Sequence, residues 1–223
     1  MTRTACTSLT ATRTARRVAL SILLLLLLAT RLSQREAPRS PSRAAERHRT
    51  THNTCVSSSS LSGGQTDLQL YLRRLLRDAQ RKKFVSRREL CRTIAGNRCE
   101  LLTVTSPARE GFAARRIVVL SARVHPGESN ASWVMQGILD FLTSPSHPAA
   151  IALRAHCVFK IAPMLNPDGV INGNYRCSLA GVDLNRQWHA PIKQEHPTVY
   201  ALKMLLRSLM CQARCTVMQC DAM

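Results

Sequence analysis

His125 and Glu128 stand three residues apart in His125-Pro126-Gly127-Glu128, shortly after the apolar run Ile117-Val118-Val119-Leu120. Imidazole and carboxylate are donors that zinc accepts, and a catalytic zinc keeps a further position for water. The Pro-Gly pair permits a tight turn at a strand end, which lets both side chains converge on one point. A lone His-x-x-Glu is common on surfaces, and Glu128 at a helix start also reads as a charge favourable to the helix dipole. Further along come Asn166-Pro167-Asp168-Gly169, Gly173-Asn174-Tyr175-Arg176-Cys177 and Asp183-Leu184-Asn185-Arg186. Arginine presents a planar fork matched to a carboxylate. An exopeptidase must hold a terminal carboxylate and polarise the scissile carbonyl, and Arg176, Asn185 and Arg186 can divide those roles. Any one of these arginines taken singly reads as a surface ion pair. Asp168-Gly169 and Gly173-Asn174 are turn signals that shape loops, and Asp183 is expected to orient its loop or Arg186. The combination implies a metal-dependent peptidase acting at a free C-terminus.

These residues need a scaffold. Thr66 is a candidate N-cap, and Leu68, Tyr71, Leu72, Leu75, Leu76 and Ala79 recur at helical spacing, so Asp67–Gln80 is expected to be an amphipathic helix. Leu101–Thr105 reads as a strand after the turn Gly96-Asn97. Arg116–Arg123 reads as a central strand buried on both faces. Ser129–Leu142 and His196–Leu209 read as helices, with Cys157–Pro163 and Thr216–Cys220 as further strands. Alternating strands and helices predict an α/β fold, a mostly parallel or mixed sheet flanked by helices. In such sheets sites lie beyond the carboxyl ends of strands. His125 and Asn166 both occupy that place.

The chain has 223 residues and a net charge of +19, enough for one domain with tails. A positive field attracts acidic partners: nucleic acid, anionic membrane or acidic peptides. With four Phe, three Tyr and two Trp, no run interleaves basic residues with aromatics, which argues against nucleic acid as the target. Arg81-Lys82-Lys83 with Arg87-Arg88 reads as a solvated helix end or loop. Nine cysteines without a Cys-x-x-Cys pair point to reduced, mostly buried thiols and a cytoplasmic setting. Residues 1–30 send the opposite signal. Arg13, Arg16 and Arg17 precede the leucine-rich Val18–Ala29, which has the form of a signal peptide and is short of the ~20 apolar residues of a membrane span. A secretory route, or a membrane contact, rests on that segment alone. Residues 31–64, rich in Arg, Ser, Thr and Pro, read as a disordered linker. Residues 65–223 form the expected catalytic domain.

The wording of the motifs is itself informative. His125-Pro126-Gly127-Glu128-Ser129-Asn130, Asn166-Pro167-Asp168-Gly169-Val170, Gly173-Asn174-Tyr175-Arg176-Cys177-Ser178-Leu179 and Asp183-Leu184-Asn185-Arg186 resemble the cytosolic carboxypeptidases, over about Thr66–Tyr200. Leu90-Cys91-Arg92-Thr93-Ile94-Ala95-Gly96-Asn97 is similar to the lead-in to that family's catalytic domain. These are zinc metallocarboxypeptidases that remove glutamates from tubulin tails and other acidic C-termini. The resemblance implies a bound Zn2+ with His125 and Glu128 as ligands. It implies that Arg176 polarises the carbonyl, and that Asn185 and Arg186 hold the substrate carboxylate. It also implies a third ligand, a histidine two residues after an aspartate at a strand end. Val217–Met223 is similar to that strand, with Met223 where the histidine would stand. The general-base glutamate lies further on in the family. The 223-residue chain is therefore expected to be a truncated catalytic domain, inactive by itself. The alternatives are a non-catalytic carboxylate-binding fragment and a related zinc amidohydrolase acting on small acyl-amino acids.

Overall fold

The computed structural model describes residues 64–107, 115–212 and 215–219. The signal-like segment 1–30 and almost all of the linker 31–64 lie outside the described residues. Helix α1 spans Gln65–Arg77, followed by a 3-10 turn at Arg81–Phe84. Strand β1 is Val85–Arg92, β2 is Arg98–Val104 and β3 is Arg116–Ser121. Helices α2 (Ser129–Thr143) and α3 (Pro148–His156) lead to strand β4 (Cys157–Ala162). A short helix α4 (Pro167–Asn172), a 3-10 turn at Leu184–Arg186, helix α5 (Pro197–Gln212) and strand β5 (Cys215–Gln219) complete the series.

The five strands form one mixed sheet in the order β1-β2-β4-β3-β5. β2 pairs antiparallel with β1 and β4, whereas β3 runs parallel to β4 and β5. β3 is thus flanked on both sides, as its apolar run demands. Val118, Val119 and Leu120 are all buried. Strand alternation divides them between two faces. Val119 joins Cys99, Ala162, Leu165, Leu184, Val199, Leu202 and Leu209 in a cluster that includes residues of α5. Met135, Ile138, Leu139 and Leu142 are the large buried side chains of α2, and Leu72 and Leu75 those of α1. This is the α/β mixed sheet with flanking helices that the sequence predicts.

Several local expectations are corrected. Gly64, not Thr66, caps α1, its N–H donating to Asp67 Oδ2 at 3.0 Å. The helix stops at Arg77 because the Asp78 carboxylate accepts from the Gln80 and Arg81 backbone N–H groups and turns the chain away. Arg87 and Arg88 are not a helix end or loop. They belong to β1, where Arg87 meets the buried Glu100 of β2 through Nε–Oε2 at 2.9 Å and Nη2–Oε1 at 2.5 Å. Helix α3 had no periodic signal. Arg154 secures it, its buried guanidinium donating to the Leu142 and Ser144 carbonyls and lying 4.0 Å over the Phe84 ring.

Glu100 gives the domain an acid-sensitive joint. Burial raises its pKa, but Arg87, Gln69 and Arg98 outweigh that and hold it below the usual carboxylate range. A depressed native pKa means the unfolded chain binds the extra proton. The stabilisation is therefore complete above the usual carboxylate range and disappears as pH falls through the native value. Glu100→Gln is expected to cost roughly 1–3 kcal/mol at neutral pH and to flatten the acid limb of a series of urea denaturations taken against pH.

Candidate metal centre and carboxylate loop

The site is built on the chain that leaves β3. Pairing continues beyond the strand: Ala122 N–H donates to Ala162 O at 3.1 Å, and Leu165 N–H to Ala122 O at 3.0 Å. Arg123 then takes a left-handed backbone conformation, with φ of 53°, uncommon for a residue other than glycine. Its buried side chain explains why the conformation persists. Nε donates to Pro126 O at 2.8 Å and Nη1 to Ser132 Oγ at 2.6 Å, so Arg123 clasps the turn to the first residues of α2. Gly127 closes the turn from outside, its N–H donating to Tyr175 O at 2.7 Å. A Cβ on Gly127 would lie 2.4 Å from the Tyr175 ring. Gly127→Ala is expected to destabilise the domain by ~1–3 kcal/mol through overpacking, read as a lowered Tm in thermal denaturation.

This turn brings His125 and Glu128 together. His125 Nδ1 lies 3.0 Å from Glu128 Oε1, and His125 Nε2 lies 3.1 Å from Asp183 Oδ1. Glu128 occupies the N-cap position of α2 yet makes no capping hydrogen bond, so its side chain is turned to the histidine. An imidazole that gives its Nε2 proton to Asp183 presents a lone pair at Nδ1. Two acceptors at 3.0 Å then face each other, an arrangement that a proton or a cation must bridge. Two zinc donors at tetrahedral angles lie about 3.3 Å apart. The pair fits a metal, and the carboxylate behind the imidazole is the usual support of a metal-bound histidine. Among the described residues, no group of three or more His, Cys, Asp or Glu side chains is arranged to hold a metal ion.

The second constellation meets the first at Asp183. Its carboxylate accepts from Asn185 N–H at 2.8 Å, from Arg176 Nε at 2.9 Å and from His125. Burial works against its charge, but these three partners hold its pKa below the ordinary carboxylate value. Asn185 Oδ1 accepts from Trp188 Nε1 at 3.0 Å, which fixes the amide in its 3-10 turn. The Arg186 side chain is 72% exposed, with Nε at 4.0 Å from Asp183 Oδ2, and that of Arg176 is 45% exposed. The structure thus links Arg176 directly to His125 through one carboxylate, with Asn185 and Arg186 on the adjoining turn.

Asn166, expected at the strand end beside His125, and Asp168 build the framework of the site. Asn166 Nδ2 donates to Val124 O at 3.2 Å and to Cys177 O at 3.4 Å, while its Oδ1 caps α4 at Gly169 N. It therefore ties the segment before His125 to the segment after Arg176. Asp168, assigned to a turn, begins a helix and accepts from Thr93 Oγ1, Ala95 N–H and Asn97 Nδ2, gripping the β1–β2 hairpin. Its place after an Asn-Pro was the available signal: a carboxylate in the first turn of a helix. Arg123 carried no signal, because a left-handed arginine is invisible to spacing rules.

Comparison with known proteins gives the family of the chain. Residues 72–201 match the zinc carboxypeptidase family. The chain is 51% identical over 158 residues to cytosolic carboxypeptidase 2 of Mus musculus, covering 70% of this chain and 18% of that protein. It is 48% identical over 162 residues to cytosolic carboxypeptidase 1 of Homo sapiens, covering 69% of this chain and 13% of that one. The chain thus spans less than a fifth of these relatives' length. Among solved structures, a metallo-carboxypeptidase from Burkholderia cenocepacia superposes with a TM-score of 0.58 at 32% identity, over 65% of this chain and 38% of that one. Thrombin-activatable fibrinolysis inhibitor shares the fold alone, with a TM-score of 0.58 at 14% identity. On motif order, sheet topology and these matches together, the chain belongs to the zinc carboxypeptidase family.

Proposed function

We propose that this chain supplies the metal-ligand turn and the carboxylate-gripping loop of a zinc metallocarboxypeptidase that trims C-terminal glutamates from acidic protein tails such as those of tubulin. The observation that carries the reading is the His125–Glu128 pair at 3.0 Å with Asp183 behind the imidazole. In this reading His125 and Glu128 hold the zinc. When bound, the metal lowers the pKa of its water and polarises the scissile carbonyl. Arg176 donates to that carbonyl oxygen as negative charge develops on it. Arg186, exposed beside Asp183, pairs with the terminal carboxylate, and Asn185 donates beside it. The net charge of +19 draws acidic tails toward the cleft.

Among the described residues His125 and Glu128 are the two donors brought together, and two protein donors leave a metal largely to water, so this pair is proposed to hold zinc weakly by itself. The matching relatives are named cytosolic, which supports the cytoplasm as the place of action. Among the described residues no helix is long and apolar enough to cross a membrane.

The test extends this chain through the rest of a cytosolic carboxypeptidase catalytic domain and follows a glutamylated tail peptide by mass spectrometry. The free acid is expected to lose glutamates one at a time. The C-terminally amidated peptide should be trimmed about 10–100-fold more slowly, the worth of a charged hydrogen-bonded pair. Arg186→Ala should erase that difference. Equal rates on both peptides would remove Asn185 and Arg186 from the carboxylate-binding role.

A further inference from the structure

We infer that Cys91 and Cys99 form a peroxide-responsive thiol pair that closes into an intramolecular disulfide. The two residues stand directly opposite each other in the antiparallel β1–β2 ladder, just past the irregularity between Glu89 and Cys91. Opposed residues of an antiparallel pair have Cα atoms about 4.5–5.5 Å apart, inside the ~4.4–6.8 Å range a disulfide spans. Their side chains share one face: Cys99 belongs to the cluster that includes residues of α5, and Cys91 packs against that cluster. Both thiols are free.

The two sulfurs are unequal. Cys91 is partly exposed and Cys99 fully buried. Interaction with the neighbouring Cys99 sulfur lowers the Cys91 thiol from its ordinary value, and the same interaction together with burial pushes Cys99 well above its own. Cys91 is therefore the nucleophile and Cys99 the resolving thiol.

The chemistry balances with hydrogen peroxide as the oxidant. The Cys91 thiolate attacks one peroxide oxygen and breaks the O–O bond, giving a sulfenic acid and hydroxide, which takes up a proton. Cys99 sulfur then displaces the sulfenic hydroxyl, which leaves as water with the Cys99 proton. In sum, two thiols are oxidised to one disulfide and one peroxide is reduced to two waters.

The bond would close the hairpin that carries Thr93, Ala95 and Asn97, the three groups that grip Asp168. It would also remove the Cys99 thiol donated to Met164 O at 3.5 Å, on the strand-end segment leading to Asn166. Oxidation is thus registered next to the loop framework without touching His125 or Glu128.

Arg92 and Arg98 are tryptic sites between the two cysteines, so the linkage is directly readable. The folded 223-residue chain is treated with hydrogen peroxide, blocked with N-ethylmaleimide in denaturant, and digested without reductant. The peptide Glu89–Arg92 is expected joined to the peptide beginning at Cys99, about tenfold above either one joined to any other cysteine. Cys99→Ser should leave a dimedone-reactive sulfenic acid at Cys91, and Cys91→Ser should leave Cys99 unoxidised. Recovery of both peptides as maleimide adducts would overturn the inference. So would pairing of Cys91 mainly with another cysteine, or an equal yield of the linked pair from urea-unfolded chain.

Discussion

Arg176→Ala, in a zinc-loaded catalytic domain containing this segment, is expected to lower kcat by about 10²–10³, the usual effect of deleting one oxyanion donor. The structure anchors the guanidinium by one edge: Nε donates to Asp183 Oδ2 at 2.9 Å. The two Nη groups remain to donate to an oxygen whose charge grows only as water adds to the carbonyl. Such a donor stabilises the transition state more than the bound substrate, so KM should move much less than kcat. Arg176→Lys keeps the charge and loses the planar fork, and it should recover part of the rate. Steady-state kinetics with zinc content measured on the same samples separates the roles. An unchanged kcat would reduce Arg176 to a structural partner of Asp183.

Asp183→Asn is expected to weaken zinc binding by about 10–100-fold, the range for losing the carboxylate behind a metal-bound histidine. The carboxylate has two jobs in this structure. Oδ1 lies 3.1 Å from His125 Nε2, and when the Nε2 proton is donated there the Nδ1 lone pair faces Glu128. Oδ2 receives Arg176. Asparagine has the same outline, so the 3-10 turn at Leu184–Arg186 survives. It can still accept through its amide oxygen, but it carries no charge to raise the basicity of the imidazole. A competitive titration against a chromogenic chelator reads the loss. Circular dichroism at matched concentration confirms that the fold has not changed. Wild-type affinity in a folded Asp183→Asn variant would show that Asp183 serves the loop and not the metal.

The parts of this molecule that were legible in its sequence are those governed by periodicity. The apolar run before His125 declared β3 as a central strand, and the Leu68–Leu76 spacing declared α1 to within a turn. The chemistry-bearing residues were legible because their types are unusual together. Asp183 was noticed only as a loop organiser, since nothing in Asp-Leu-Asn-Arg says that its carboxylate reaches His125 far away in sequence. β1 was missed because Arg87 and Arg88 looked solvated: Arg88 is exposed, but Arg87 is half-buried and is welcome there through its pairing with buried Glu100. Helix α3 is short, and its stability comes from the tertiary contacts of Arg154, which no local pattern encodes. Arg123 and Gly127 show the same limit at the site. One is held in a left-handed conformation by side-chain bonds to Pro126 O and Ser132 Oγ, and the other is fixed by the approach of the Tyr175 backbone and ring.

The most direct test of the account is a zinc titration of the 223-residue chain beside its His125→Ala and Glu128→Ala variants, followed by dialysis and metal analysis. The account predicts one weakly held zinc per chain, removed by dialysis and undetectable in either variant. Stoichiometric zinc surviving dialysis, or binding unchanged in both variants, would contradict it, because the metal would then be held by groups other than the turn that brings His125 and Glu128 to 3.0 Å.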